Sequence, residues 1–175
     1  MQSLKILSFA TLSVLFLLIF IGGYVSSSGV GLSCPNWPLC PHGLIPSQSF
    51  IIEYFHRSVA ATTAALVITT MAFTVKSKVA PKGMKIASVI AAGAVIGQVT
   101  LGGIVIIQKL QAVLVTGHLG LGIVLFSMLL ITVLYANRID EKKRTTITTT
   151  KELSSSLEKH NEDMPESNES DMRLK

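Results

Sequence analysis

The sequence predicts an all-α integral membrane protein whose four transmembrane helices form a bundle. Of its 175 residues, 49% are hydrophobic and only 14% are charged. Four separate apolar runs each reach the length of about 20 residues that a helix needs to cross a bilayer. Glu53 is the only Asp or Glu before Asp140. This distribution excludes a water-soluble enzyme and a chain that is disordered along its whole length.

The apolar runs occupy residues of about 4–24, 49–75, 86–107 and 112–136. We therefore predict a transmembrane domain over residues 1–136, with an outer loop at 25–48 that contains both cysteines. The first run could instead be a cleaved signal peptide. Its n-region has only Lys5 and no small-residue cleavage site follows cleanly, so an uncleaved helix is the prediction.

Basic residues indicate the orientation of the spans. They lie between the second and third runs and after the fourth run: Lys76, Lys78, Lys82, Lys85, Arg138, Lys142, Lys143 and Arg144. The loop 25–48 has no charged residue, and Lys109 is the one basic residue between the third and fourth runs. The positive-inside rule then predicts that both termini are cytoplasmic. Because the basic residues border apolar runs, they indicate membrane orientation rather than nucleic-acid binding. The segment 137–175 is polar, and we predict that it is a disordered cytoplasmic tail.

The two cysteines, Cys34 and Cys40, lie in the predicted outer loop, where disulfides persist. A structural disulfide is the first interpretation of this pair. A redox-active dithiol is the second. A metal site that adds His42 is the third, and it lacks an apparent fourth ligand.

Two histidines are predicted to lie at the same depth in the membrane. His56 is about seven residues into the second helix and His118 about six into the fourth, which at about 1.5 Å per residue puts both roughly 10 Å below the outer surface. Both helices run inward, so the imidazoles can face each other across a flat cofactor. Imidazole is a common ligand of haem iron, and helix bundles build cofactor sites from facing side chains.

Glu53 precedes His56 by three residues, so the two share a helix face. An ionisable group inside a bilayer is a candidate functional residue. The alternatives are that the histidines are hydrogen-bonded structural residues, or that they form a proton relay with Glu53. A pore is disfavoured because no further polar positions continue a path.

Three more residues are candidates for contact with a haem. Arg57 could bind the propionates, although an ion pair with Glu53 or snorkelling to the surface is the alternative. Gly117 and Gly120 flank His118, and small residues let a planar ligand approach the backbone closely.

An internal similarity also links the two halves of the predicted bundle. Residues 22–25 and 102–105 each begin with Gly-Gly and end with Val, and each precedes a helix with one histidine in its first two turns. This pattern predicts two helical hairpins arranged as a pseudo-symmetric pair.

The sequence resembles the haem A synthase family in five blocks that occur in the same order. These blocks are Gly-Gly-Tyr-Val at 22–25, Gly-Val-Gly-Leu-Ser-Cys-Pro-Asn-Trp-Pro-Leu-Cys at 29–40, Glu-Tyr-Phe-His-Arg at 53–57, Gln-Val-Thr-Leu-Gly-Gly at 98–103 and Thr-Gly-His-Leu-Gly at 116–120. Two positions depart from the usual family pattern, Ser26 where an Arg is usual and Asn36 where an Asp is usual.

The resemblance implies a membrane enzyme that oxidises the C8 methyl of haem O to a formyl group, giving haem A for terminal oxidases. Two successive hydroxylations give a gem-diol, which loses water. His56 and His118 would be axial iron ligands, Glu53 the catalytic carboxylate, and Cys34 and Cys40 a disulfide.

The resemblance also implies partners and a location. Family members usually have eight spans in two similar halves, one for substrate haem and one for a haem B cofactor, so this chain is similar to a short, half-length form that is expected to form a homodimer. The expected location is the plasma membrane of a prokaryote, with haem O synthase or terminal oxidase assembly as possible partners. The alternatives to an enzyme are a b-type haem electron carrier, a non-enzymatic haem chaperone or oxidase assembly factor, and a small transporter.

Overall fold

The structure, a computed structural model, describes residues 2–28, 30–32 and 51–162. Within these residues the chain forms four α-helices and one short 3-10 turn. The helices are α1 (Gln2–Ser27), α2 (Ile51–Lys76), α3 (Lys82–Ile107) and α4 (Ala112–Glu162), and the turn is Val30–Leu32. The predicted all-helical class and the four predicted helices are confirmed.

Each of the four helices is long and apolar enough to cross a bilayer. Their outward faces carry large apolar side chains, such as Phe9, Phe20 and Phe73, whose exposed fractions are 62%, 73% and 60%. A water-soluble monomer rarely exposes apolar area on this scale. The acyl chains of a lipid bilayer can cover such an apolar surface, so the protein is a multi-span membrane protein.

The first compact unit, Met1–Arg138, contains α1, α2, α3 and the part of α4 that ends at Arg138. Its hydrophobic core takes residues from every helix: Leu15, Val67, Ala91, Ala94, Val95, Leu125 and Leu129. Alanines on α3 remove side-chain bulk between helix backbones, and small residues at such positions let membrane helices approach closely. The four helices therefore share one hydrophobic core.

Contacts between consecutive helices show that the chain runs up and down through this unit. Gly22 of α1 lies against His56 of α2, while Thr11, further back on α1, meets Thr70 further along α2. In the same way, Gly102 meets His118, and Gly83 meets Tyr135. Both pairs of helices are therefore antiparallel hairpins.

The buried threonine hydroxyl groups among the described residues form hydrogen bonds within the apolar core. Thr63, Thr74 and Thr132 donate to the carbonyl oxygen four residues earlier on their own helices. Thr11 donates to the carbonyl of Leu7 at 2.8 Å and also lies 2.9 Å, hydroxyl to hydroxyl, from Thr70. The Thr11–Thr70 bond ties α1 to α2 where both side chains are fully buried.

The short connections fix where α3 begins and ends. Pro81, in extended conformation, precedes α3 and accepts a hydrogen bond from the Lys85 amide, so α3 begins at Lys82 rather than near residue 86. After α3, Lys109 and Leu110 both take positive φ, 52° and 60°. Two consecutive left-handed residues reverse the chain quickly and start α4 at Ala112.

The second unit, Ile139–Lys175, is described as far as Glu162, and there it is helical as part of α4. This differs from the disordered segment predicted from its polar composition. Its threonines donate to carbonyls four residues earlier, for example Thr146 to Lys142 and Thr150 to Thr146. A helix satisfies its backbone hydrogen bonds internally, so this segment can be helical without the apolar core whose absence suggested disorder.

Candidate functional site

Those residues predicted to carry function that the structure describes gather at one end of the first unit. We call it the histidine end; it consists of the last turns of α1 and α3 and the first turns of α2 and α4. His56 and Glu53 lie in the first two turns of α2, and His118 lies in the second turn of α4. The antiparallel hairpins bring these turns to the same end, as the sequence predicted.

Each histidine packs against a glycine of the preceding helix. A Cβ atom placed on Gly22 would lie 3.1 Å from Cε1 of His56, and one placed on Gly102 would lie 3.3 Å from Cε1 of His118. Both distances are shorter than ordinary carbon–carbon contact, which begins near 3.5 Å. The imidazoles therefore occupy space that any other residue at positions 22 and 102 would partly fill.

The two imidazoles share a second feature, the environment of Nδ1. The Nδ1 atoms of His56 and His118 are buried, and no group among the residues that the structure describes hydrogen-bonds to either of them. Each residue as a whole is only partly buried. Nε2 is therefore the nitrogen through which each ring can reach a ligand.

This donor set fits a haem iron better than a bare metal ion. Among the residues that the structure describes, no group of three or more His, Cys, Asp and Glu side chains comes together. A protein-held zinc site takes at least three side-chain ligands. A haem iron needs only one or two axial ligands from the protein, because the macrocycle supplies the others, and His56 and His118 could supply up to two.

Glu53 is buried beside this pair, with 2% of the residue exposed. Arg57 donates a hydrogen bond from Nη2 to Oε1 of Glu53 at 2.5 Å, one helical turn away. The two opposite charges compensate each other within a largely apolar helix. The structure thus contains the ion pair that was one of the three sequence interpretations of Arg57; propionate binding by Arg57 stays a prediction.

The two glycines that sequence analysis chose beside His118 are less crowded than Gly102. A Cβ on Gly117 would make only ordinary contact with Leu101, at 3.9 Å, and one on Gly120 would meet nothing within 4 Å. Apart from chain neighbours, neither position would bring a Cβ within 4 Å of an imidazole. Their contact with a haem stays a prediction, which the open space around them permits.

Gln98 is a polar residue of the site to which sequence analysis gave no role. Its Oε1 is buried with no hydrogen-bond partner among the described residues, and its Nε2 lies 2.7 Å from the position a Cβ on Gly122 would take. On the antiparallel pair α3 and α4, this contact lies one turn deeper than that between Gly102 and His118. The isolated amide in an apolar span was the signal that could have identified it.

The predicted disulfide cysteines, Cys34 and Cys40, and the alternative ligand His42 lie outside the described residues. The pairing of the cysteines, a redox role for them and a metal site with His42 all stay predictions.

Comparison with known proteins gives consistent relatives. The chain is 29% identical over 137 residues to Heme A synthase of Bacillus licheniformis, a match that covers 77% of this chain and 45% of the relative. It is 36% identical over 138 residues to Heme A synthase of an Exiguobacterium species, covering 70% of this chain and 42% of that protein. The chain spans about half the length of the curated relatives it matches.

A family model gives the broader assignment. The model named COX15-CtaA, described as cytochrome oxidase assembly protein, matches residues 46–157. This range is well over half of the chain and includes Glu53, His56, Arg57 and His118. The chain therefore belongs to the COX15-CtaA family of cytochrome oxidase assembly proteins.

Proposed function

We propose that this protein is a haem A synthase, an enzyme that oxidises the C8 methyl group of haem O to a formyl group. The observation that carries the proposal is the pair of imidazoles at the histidine end, beside one buried carboxylate. The names of the curated relatives, each called Heme A synthase, support the same reaction. The product would serve the assembly of a terminal oxidase, consistent with the family description.

The protein would hold the iron of a haem between Nε2 of His56 and Nε2 of His118. These residues come from different hairpins, so the planar ligand would lie between α2 and α4. Gly117 and Gly120 leave room for it beside His118. A bound haem would supply the iron redox chemistry that the proposed oxidation of a methyl group needs.

Glu53 would be the residue that moves protons. The proposed reaction is two successive two-electron oxidations at one carbon. With water as the source of oxygen, each oxidation replaces a C–H bond by a C–O bond, passes two electrons to an acceptor and releases two protons. A positioned carboxylate can take such a proton, and general acid–base catalysis of this kind contributes about 10²–10⁴-fold to a rate. Arg57 holds Oε1 of Glu53 and so fixes the direction of the carboxylate.

A second haem would come from a second copy of the chain. His56 and His118 together can ligate a single iron, whereas the proposed reaction uses haem O as substrate and a haem B cofactor. A homodimer supplies two such pairs. In nanodiscs, we expect the mass of a dimer, with two haems per particle after loading with both haems; a monomer that converts haem O would contradict this part of the proposal.

The remaining finer assignments concern orientation. We propose that the histidine end faces the outside of a prokaryotic plasma membrane, with the termini cytoplasmic and Cys34 and Cys40 joined by a disulfide. The basic residues at the opposite end of α2 and α3, such as Lys76 and Lys82, support this orientation. Mass spectrometry of the unreduced peptide that contains both cysteines tests the disulfide, and two free thiols would contradict it.

The decisive experiment is pigment analysis of cells that make haem O but no haem A. Expression of this chain should produce a haem with the mass and absorption of a formyl derivative. The matched control is the variant His56→Ala/His118→Ala, which should produce none. Haem bound at the histidine end with no conversion of haem O would instead favour an electron carrier or a haem chaperone.

A further inference from the structure

We propose that Gly22 and Gly102 are equivalent positioning residues, each of which sets the orientation of one imidazole, His56 or His118, toward the haem. The role toward haem rests on the proposed function, whereas the contacts that support the inference are made between residues of the protein itself. It assigns a role to two glycines that act through a histidine and need no contact with the haem.

The first support is steric. Each glycine lies where a single methyl group would come closer than normal contact to Cε1 of the imidazole, at 3.1 Å for Gly22 and 3.3 Å for Gly102. The ring can rest against the backbone of the preceding helix only because no Cβ is present. A side chain at either position would force the ring to turn or to move by a few tenths of an ångström.

The second support is the environment of Nδ1. A histidine that binds a metal usually has its other ring nitrogen held by a carboxylate, a carbonyl or water, which fixes the plane of the ring. In the described part of the chain, no carboxylate or carbonyl plays this role for the buried Nδ1 atoms of His56 and His118. At each ring the preceding helix presents a glycine to the Cε1 edge, and this contact restricts the ring.

The third support is the repetition of this arrangement. The same contact occurs twice, between α1 and α2 and between α3 and α4, and in each case it uses the first glycine of a Gly-Gly pair. Crowded glycines elsewhere in the first unit have different neighbours: Gly83 meets Tyr135, and Gly97 meets Leu121. The two glycine–histidine contacts are therefore more specific than general close packing, because the same atom of each imidazole, Cε1, meets the equivalent glycine in both hairpins.

The sequence also provides matched controls. Gly23 is the neighbour of Gly22 in α1, and Gly93 lies earlier in α3 than Gly102. A Cβ on either control residue would meet nothing within 4 Å. Alanine at positions 23 and 93 thus makes the same change in helix propensity without the contact.

The first test needs no haem. In full-length protein with ¹³C-labelled histidine, Gly22→Ala should shift the Cε1 resonance of His56 and leave that of His118 in place, and Gly102→Ala should do the reverse. Gly23→Ala and Gly93→Ala should shift neither. Resonances that do not respond, or that respond equally to the controls, would overturn the proposal.

The second test uses the haem-loaded protein. Gly22→Ala and Gly102→Ala should shift the largest g value of the low-spin electron paramagnetic resonance signal, because that value depends on the orientation of the axial imidazoles. The two control variants should give the wild-type value, and an unchanged value in all four variants would overturn the proposal. If the wild-type protein binds no haem, the proposed function is overturned, and so is the role of the two glycines toward haem. The histidine resonances of the haem-free protein still decide whether Gly22 and Gly102 orient the imidazoles.

A third measurement covers variants that fold poorly. If the methyl group of Gly22→Ala clashes with the imidazole, the loss of thermal stability should disappear in a His56→Ala background, where the ring is absent. Gly102→Ala should be rescued in the same way by His118→Ala and not by His56→Ala. Equal losses in both backgrounds would show that the glycines serve helix packing alone.

Discussion

Arg57 donates a hydrogen bond of 2.5 Å to the carboxylate of Glu53, one turn earlier on α2. Only 3% of the Glu53 side chain and 16% of the Arg57 side chain are exposed. The pair places a carboxylate inside a transmembrane helix next to a positive charge that compensates it, and ionisable groups inside membranes are commonly paired in this way. Four predictions follow from this pair, the histidines and the buried hydroxyls.

The first prediction concerns Glu53 as a proton carrier. Glu53→Gln keeps the size of the side chain and an acceptor oxygen for Arg57, so haem binding should persist. Conversion of haem O should fall by about 10²–10⁴-fold, the usual contribution of a general acid or base. Chromatography of extracted haems measures the conversion, and a variant with wild-type conversion would eliminate Glu53 as the essential carboxylate.

The second prediction concerns the axial ligands. His118→Ala should convert a six-coordinate low-spin haem into a five-coordinate form and weaken haem binding by more than the roughly 10–100-fold that loss of an outer-shell partner costs. Absorption spectra of the purified protein report both effects. His160, in the second unit, is the matched control, and His160→Ala should keep the wild-type spectrum. An unchanged spectrum in His118→Ala would remove this residue from the ligand set.

The third prediction concerns the stability of the ion pair. Arg57→Met leaves a buried carboxylate without this partner. Since Arg57 is partly exposed, the cost should fall at or below the lower end of the roughly 3–5 kcal/mol measured for broken buried pairs. The double variant Glu53→Leu/Arg57→Met should recover much of that loss. Reversible unfolding in detergent measures both, and a double variant less stable than Arg57→Met would contradict the prediction.

The fourth prediction concerns the hydroxyl pair that joins α1 to α2. Thr11 already donates its hydrogen to the carbonyl of Leu7, so Thr70 is the donor to Thr11. A double-mutant cycle with Thr11→Val and Thr70→Val should give a coupling of about 0.6 kcal/mol, and no more than about 1.7, as found for hydrogen bonds between membrane helices. Additive losses in the cycle would mean that the contact contributes nothing.

Hydropathy and spacing predicted the four helices and the end at which the functional residues meet. The start of α3 was harder to predict, because Lys82 and Lys85 interrupt the apolar run while still continuing the helix. The opposite limitation applies to α4 beyond Arg138. There the sequence lacks apolar residues for a core, but a helix needs no core to complete its own hydrogen bonds.

The site was predicted in composition but not in detail. The three-residue spacing placed Glu53 and His56 on one helix face, and the four-residue spacing allowed the ion pair with Arg57. Periodicity does not determine how one helix is rotated against the next, so it could not identify which glycine meets which imidazole. The contacts of Gly22 and Gly102, and the buried amide of Gln98, became visible only in three dimensions.

Each histidine–glycine contact is made between helices that follow one another in the chain, and this affects the order of biogenesis. The contact of Gly22 with His56 can form once a ribosome has released α2, before α4 has been synthesised. A nascent chain at that stage carries one completed half of the ligand pair. On the proposed arrangement, both histidine ligands are available only after α4 has entered the bilayer. Binding of the tetrapyrrole by both histidines is therefore a late event in the maturation of the protein.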